Sequence, residues 1–519
     1  LDRVLAERLT GAAPALCSES VFLRRIYLDT LGVLPTAAEA RAYLQDPDLD
    51  GRRQRLVEAL LAREEFVTYW AMKWGDLLRI KAEFPVNLWP NAAQRYHRWV
   101  RESLAANKPM DVFARELLTS SGSNFRVGPV NFYRALAERS PEGIATAVAL
   151  TFLGERTEHW PSERRLGLAG FFRQVGYKPT AEWKEEIVFW DPWGVQALPG
   201  STVAGRASLT EVPAAPANPY APLPPAASDP APPPAAFPDG TPAHLSPDRD
   251  PREVFADWLL RPENPAFARS LANRVWSWLM GRGLVHPADD FRPDNPPSHP
   301  ELLAFLEREL IAAQFDLKHL FRLILNSQAY RLSSLPPAGG ATPPPFASYP
   351  IRRLEAEVLI DAINGITRTT ELYTSPIPEP FTYIPQGQPA VSIGDGSITS
   401  PFLALFGRSA RSTGQEDERP TGILPAQSLY LLNASHLQGK LERGEGIKGL
   451  LKAHPKPAEA TEALYLTILS RFPTRAEARL ARRHLVGEEA GKPDRAVRAE
   501  HWNDLAWALL NSDEFLFRH

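Results

Sequence analysis

The stretch VPAAPANPYAPLPPAASDPAPPPAAFPDGTP, from Val212 to Pro242, sets the first limit on what this chain can fold into. Proline has no amide hydrogen to give to a helix or a sheet ladder, and its ring pushes the preceding residue out of the helical region. A segment this rich in proline reads as an extended, polyproline-like connector. It parts the chain into an N-terminal helical unit over 1–211, a connector over 212–245 and a C-terminal helical unit over 246–519. A second proline- and glycine-rich stretch, LPPAGGATPPPFASYP at 335–350, interrupts the last of these. A chain of 519 residues has room for about three domains of ordinary size.

Elsewhere apolar residues recur mostly at helical spacing. In RRQRLVEALLAREEFVTYW, Leu56, Leu60 and Leu61 share one face, and in PELLAFLERELIAA the same holds for Leu302, Leu303, Leu306 and Leu310. Between Glu185 and Arg206 valines alternate with glycines and prolines, which predicts a small β-hairpin near 185–206. The expected class is mainly α, with helical bundles, small β-hairpin elements and the proline-rich connector.

One phrase occurs twice: LGVLPTAAEA at Leu31 and LSRFPTRAEA at Leu469. Pro35 and Pro473 each stop a helix, and Thr36 with Glu39, like Thr474 with Glu477, has the spacing of a capping box. IYLDTL precedes the first copy and LYLTIL the second, so Tyr27 matches Tyr465. Downstream, LVEALLAREEF at Leu56 matches LAWALLNSDEF at Leu505, and LFRLILNSQAY at Leu320 is related to both. The unit is either a duplicated binding platform or a reused packing module. Leucines at helical spacing usually belong to a core, which favours the second reading and predicts one helix–turn–helix shape for both copies.

The net charge of −3 provides no basic field, so nucleic acid is not an expected partner. No apolar run is long enough to span a bilayer. No signal peptide is present, and because the sequence opens on Leu1 a targeting segment can have been lost ahead of it. Cys17 is the only cysteine, which excludes an intramolecular disulfide, a cysteine zinc site and a two-thiol haem attachment.

The chain resembles the paired domains of unknown function of planctomycete cytochrome c domain-containing proteins. The first domain's phrases are FLRRIYLDTLGVLPT, ARELLTSSGSNF with VNFYR, and EWKEEIV. The second domain's are NRVWSWLMGRGLVHPADDFRPDNPPSHPELL, RRLEAEVLIDAI, GSITSPFLALFGR and ALLNSDEFLFRH. The resemblance implies an exported protein, periplasmic or on the cell surface, associated with polysaccharide breakdown. It brings no agreed activity. Many relatives carry a Cys-x-x-Cys-His haem attachment just after the phrase matching TFLG. Here TFLGERTEHWPSERRLGLAGFF holds only His159 as a candidate ligand, so no c-type haem can be attached there and no cofactor is expected.

Three constellations are candidates for chemistry. In HPADDFRPDNPPSHPE, the residues Asp289, Asp290, Asp294, Asn295, His299 and Glu301 crowd into one loop. Asp289, Asp290 and Asp294 are oxygen ligands of the kind calcium takes, though the spacing is not that of an EF-hand; Asp290 with His299 can serve a hydrolytic reaction. The structural alternative has Ser298 and Glu301 capping the following helix and the carboxylates paired with Arg274, Arg282 and Arg292, of which Arg274 is the expected partner. In RSTGQEDERPTGILPAQSLYLLNASHLQ, Glu418 and His436 are a candidate acid and base, against a salt-bridged or solvated loop made of Glu416, Asp417, Glu418 and Arg419. In VFWDPWG, Trp190 and Trp193 can stack on sugar rings with Asp191 as acceptor, or pin the hairpin to the helices. Trp70, Trp74, Trp99, Trp276 and Trp278 read as core. A phosphate-binding glycine loop, a nucleophile elbow and paired zinc histidines are all missing from the sequence.

Three functions are consistent with these readings. The first is a non-catalytic binding or scaffold component of the cell envelope, engaging polysaccharide or an envelope protein through residues such as Trp190, Asp191, Trp193, Arg274 and Asn295. The second is a hydrolase or lyase acting on carbohydrate through loop carboxylates. The third is an accessory protein that docks a separate cytochrome.

Overall fold

The computed structural model describes residues 1–6, 15–49, 51–193, 233–335, 345–486 and 499–519. The fold is mainly α-helical, with two small antiparallel sheets. In the larger sheet the strand Glu186–Trp190 lies between Gly122–Ser123 and Val175–Pro179, with Val175 opposite Trp190 and Pro179 opposite Glu186. The hairpin expected near 185–206 therefore sits earlier, at 175–190, and residues 194–206 lie outside the described residues. Gly176 hides its first strand from a pattern reading. It is not a breaker here: a Cβ at Gly176 would come within 2.7 Å of the Phe189 ring, so glycine is what lets the two strands close.

The repeated phrase folds the same way twice. Helices Glu19–Thr30 and Ala37–Gln45 form the first copy, and Pro457–Leu469 and Arg475–Val486 the second. Thr36 and Thr474 both cap their helices, with Glu39 and Glu477 reaching back to the cap N–H. Gly32 and Ser470 fill the same left-handed turn position, at φ 64° and 61°. Both copies then clamp two carboxylates with one arginine laid over a tyrosine. Arg63 donates to Glu39 and Glu65, with Tyr27 5.7 Å away, while Arg471 donates to Glu477 and Glu514, with Tyr465 5.6 Å away. The carboxylates and tyrosines match along the repeat. The arginines do not: Arg63 opens the last helix of its copy, and Arg471 sits in the turn of the other.

The two copies also touch. Arg24 donates to the carbonyls of Ile468 (2.7 Å) and Phe515 (2.9 Å), and Arg41 pairs with Glu462. A single hydrophobic core runs through both halves of the sequence. At its centre Trp70 meets Phe321 at 4.5 Å and Trp278 at 5.2 Å, so helix Glu64–Leu77 lies against helix Ala266–Met280. Trp70, Trp74, Trp99 and Trp276 are buried, and Trp278 packs against them half-buried. The last residues of the connector join this core: Phe237 stacks on Trp258 at 5.1 Å, and Ala235 lies so close to Gly170 that a Cβ there would be 2.7 Å away. Residues 345–350, at the end of the second proline-rich stretch, bring Phe346 and Tyr349 into the interior.

Candidate functional site

The acidic loop does not gather its carboxylates around a common point. Asp289 is fully buried and accepts from Arg156 (2.9 Å) and from the Glu416 N–H (2.8 Å). Arg274, the expected partner, donates instead to the Leu150 carbonyl at 3.2 Å. Asp290 pairs with Arg292 at 3.0 Å, while Asp294 is exposed. Asn295 holds the loop together by donating to the carbonyls of Asp290 and His286. His299 is the N-cap of helix Pro300–Ala312, and its ring meets Phe346 edge-on at 5.5 Å. The capping box expected of Ser298 and Glu301 does not form, because the helix starts one residue later than that spacing needs and the Ser298 hydroxyl donates to Leu284. Among the described residues no three His, Cys, Asp or Glu side chains converge to hold a metal ion.

Glu418 and His436 lie in separate networks. Glu418 accepts from three successive N–H groups, of Ser412, Thr413 and Gly414, and so ties its own loop into a turn. His436 stands between Tyr430, whose Oη is 2.8 Å from Nδ1, and Glu371, 2.9 Å from Nε2, with Lys440 3.1 Å from the same carboxylate. Burial alone would raise the Glu371 pKa; the hydrogen bond to His436 and the Lys440 charge hold it below the usual range. Sequence spacing did not point to Glu371, which comes from a loop beyond helix Ala356–Thr367.

Trp190 donates to Gln174 at 2.8 Å and pins the hairpin, as does Asp191, whose N–H donates to the Gln174 carbonyl. Trp193 is the one of the three with its face in solvent.

Behind these loops lies a chain of buried charges that joins the two halves. Asp76, on helix Glu64–Leu77, accepts from Arg411 (2.8 Å) and Arg419 (2.7 Å); Arg419 also pairs with Glu357 at 2.6 Å. Glu355 takes Lys73 and Arg518, and Arg518 continues to Asp29 at 3.0 Å.

A groove of about 460 Å³ opens elsewhere, between helix Pro90–Ala105 and the 382–398 segment. Gln94, His97, Arg98, Tyr383, Gln388 and Ser392 are on its walls. Tyr383 is 69% exposed and Phe381 46%. Phe381 lies 5.2 Å from Trp89, and Lys184 bridges Trp89 to the exposed Trp183, at 5.7 and 5.3 Å. Trp89 has φ 72° and ψ 148°, a region natural to glycine alone, so the loop before the helix is strained at the ring that braces Phe381. The strain is held by the fold: the Ala82 N–H donates to Asp395 and the Glu83 N–H to Ser397. A sequence signal for this site exists in EFPVNLWP and EPFTYIPQGQP, where aromatics sit between prolines and cannot be helix core.

A second hollow of about 460 Å³ adjoins the groove and shares Glu64, Gln388 and Ser392 with it. Asp361 lines this hollow. Burial, with the charges of Glu357 and Glu371, pushes its pKa up to about 7 against the pull of the Val391 and Ala390 N–H groups. Burial and the charges of Arg411 and Arg101 take His97 the other way, down to about 3. Native Asp361 thus keeps a proton that the unfolded chain has released above about pH 4, so stability falls as pH rises from about 4 to 7 and is then flat. Native His97 refuses a proton that the unfolded chain takes below about pH 6.5, so stability falls as pH drops from about 6.5 toward 3. The difference in urea midpoint between wild type and Asp361→Asn should change across the first window, and that for His97→Gln across the second, with opposite slopes. A difference independent of pH in either case would refute the assignment.

The fold defines a mainly α-helical protein whose two sequence halves share one core, with the groove beside helix Pro90–Ala105 open to solvent. Its family follows from the sequence models it matches. PSCyt2, a protein of unknown function (DUF1549), matches residues 1–156, and PSD1, a protein of unknown function (DUF1553), matches residues 251–485. The chain belongs to the family with these paired planctomycete cytochrome c-associated domains, and its single cysteine fits no haem motif. No curated protein matches it, and no solved structure matches it.

Proposed function

We propose that the chain is a non-catalytic polysaccharide-binding component of the cell envelope, and that the groove beside helix Pro90–Ala105 is its binding site. One observation carries this: exposed Tyr383 lines a groove, with exposed Phe381 two residues away, and amides, hydroxyls and guanidinium groups share its walls with apolar side chains such as Val67 and Ile398. Sugars present apolar ring faces that stack on aromatic side chains and hydroxyls that pair with such polar groups. Two of the groove's three carboxylates, Glu64 and Asp395, already have partners, and the third, Glu102, lies 3.6 Å from Arg95, which supports binding over hydrolysis. Glu64 pairs with Arg101, and one Asp395 oxygen accepts from Ala82 and Ser397. Export is part of the reading because of the family resemblance; among the described residues no helix is long and apolar enough to cross a membrane.

Affinity electrophoresis in gels containing xylan, mannan or alginate tests the reading. At least one polymer should retard the wild type, and Tyr383→Ala or Phe381→Ala should weaken that binding by about 3- to 10-fold per ring. Retardation untouched by both substitutions would place binding elsewhere. Release of reducing ends by the wild type would favour the hydrolase alternative.

A further inference from the structure

A separate cavity of about 140 Å³ lies where helices Glu64–Leu77 and Ala266–Met280 meet the 409–421 loop. We propose that this cavity binds a small anion, a carboxylate or phosphate group, held by Arg274 and Lys73.

The charges on its walls do not balance. Lys73, Arg274, Arg352 and Arg419 face Asp76, Glu355 and Glu416, so cations outnumber carboxylates by one. Every carboxylate is already engaged. Asp76 accepts from Arg411 and Arg419, and Glu355 from Lys73 and Arg518. Glu416 accepts from the Ser277 hydroxyl at 3.0 Å and from the Ala288 N–H. Arg352 finds Asp29 and the carbonyls of Trp278 and Leu279. Arg274 is the cation left over. It is 5% exposed, no carboxylate among the described residues forms an ion pair with it, and the Leu150 carbonyl takes one of the five N–H groups a guanidinium carries.

A charge at that depth needs a counter-charge or hydrogen-bonding partners. Burial pulls the Arg274 pKa down, and the charges of Asp289 and Glu416 only partly restore it. The space suits the missing partner. At about 140 Å³ the cavity has room for a phosphate or a short carboxylate. Lys73, on the other helix, adds a second cation to the lining. The acidic loop thus has a role that its own carboxylates do not show: Asp289 fixes the Glu416 backbone, and Glu416 fixes one side of the cavity.

The proposal is independent of the groove, and the test keeps the two apart. Thermal unfolding of the full chain is followed in inorganic phosphate, sodium acetate and sodium chloride at equal ionic strength. A ligand bound by the folded state alone raises stability along a saturating curve. The expected result is a saturable rise in melting temperature with phosphate or acetate and none with chloride. That rise should persist in Tyr383→Ala and disappear in Arg274→Gln. A response to phosphate alone assigns a tetrahedral anion, and a response to acetate alone a carboxylate. The proposal is overturned if all three salts act alike, if the rise does not saturate, or if it survives in Arg274→Gln. Should Arg274→Gln fail to fold, Lys73→Gln replaces it and must weaken binding by about tenfold or more; unchanged affinity there overturns the proposal equally.

Discussion

Asp76→Ala is expected to lower the stability of the folded chain by about 3–5 kcal/mol, read as a fall in the urea midpoint with an unchanged slope. Asp76 is the carboxylate shared by Arg411, which is buried, and Arg419, whose side chain is 11% exposed. Removing it leaves two guanidinium groups facing each other with Glu357 as the carboxylate of one of them. Burial raises the Asp76 pKa, but the two arginine charges and their hydrogen bonds outweigh that and hold it below the usual range. Its contribution is therefore complete above about pH 4 and is lost as pH falls through the depressed native value. Asp76→Asn keeps the acceptor and should lose less. Exposed Asp294 gives the contrast: Asp294→Ala should change stability by less than about 0.5 kcal/mol. An Asp76→Ala protein as stable as that control would show that water replaces the carboxylate.

The readable parts of this molecule were the ones built from near neighbours in sequence. Thr36 and Glu39 are three residues apart, and so are Thr474 and Glu477, so both caps followed from spacing alone. The arginine clamps did not, because Arg63 and Arg471 reach equivalent carboxylates from different points of the repeat. Arg274 was an obvious partner for Asp289 because it is close in the chain. The true donors, Arg156 and the Glu416 N–H, are 133 and 127 residues away, and only the tertiary fold brings them in. The groove is a similar case. Trp89 and Phe381 belong to opposite halves of the sequence, and no local period relates them. Glu418 and His436 were close enough in sequence to suggest a pair, yet three backbone N–H groups claim the first and Glu371 the second.

The second large effect is expected at Asp29. This side chain has no exposed surface and collects four donors: Tyr330 and Tyr349, each at 2.7 Å, Arg518 at 3.0 Å and Arg352 at 3.3 Å. Asp29→Ala leaves the Tyr330 hydroxyl without an acceptor and takes one carboxylate from Arg518, Arg352 and Tyr349, which keep Glu355, the Trp278 and Leu279 carbonyls, and the Leu279 carbonyl respectively. One uncompensated buried ion costs about 3–5 kcal/mol, and an unsatisfied hydroxyl adds about 1–3 kcal/mol. These terms do not simply add, because the donors share one acceptor. The expected outcome is a loss of about 3–5 kcal/mol, seen as a fall in the urea midpoint. Tyr330→Phe and Tyr349→Phe remove one donor each and leave the carboxylate satisfied, so each should cost only about 1 kcal/mol. If either phenylalanine variant were as damaging as Asp29→Ala, the carboxylate would not be the hub.

The partners of Asp29 also impose an order in time. Arg518 stands 489 residues after it, and Arg24 on the same helix takes its second acceptor from Phe515, 491 residues on. A ribosome adding about 5–20 residues per second makes that interval on the order of 25–100 s. Until those residues arrive, helix Glu19–Thr30 carries Asp29 without Arg518 and Arg24 without its Phe515 carbonyl acceptor, beside apolar faces already able to collapse. An early segment that cannot close on its own is open to holding by a chaperone, and its maturation is set by the arrival of the last few residues and not by its own propensity to coil.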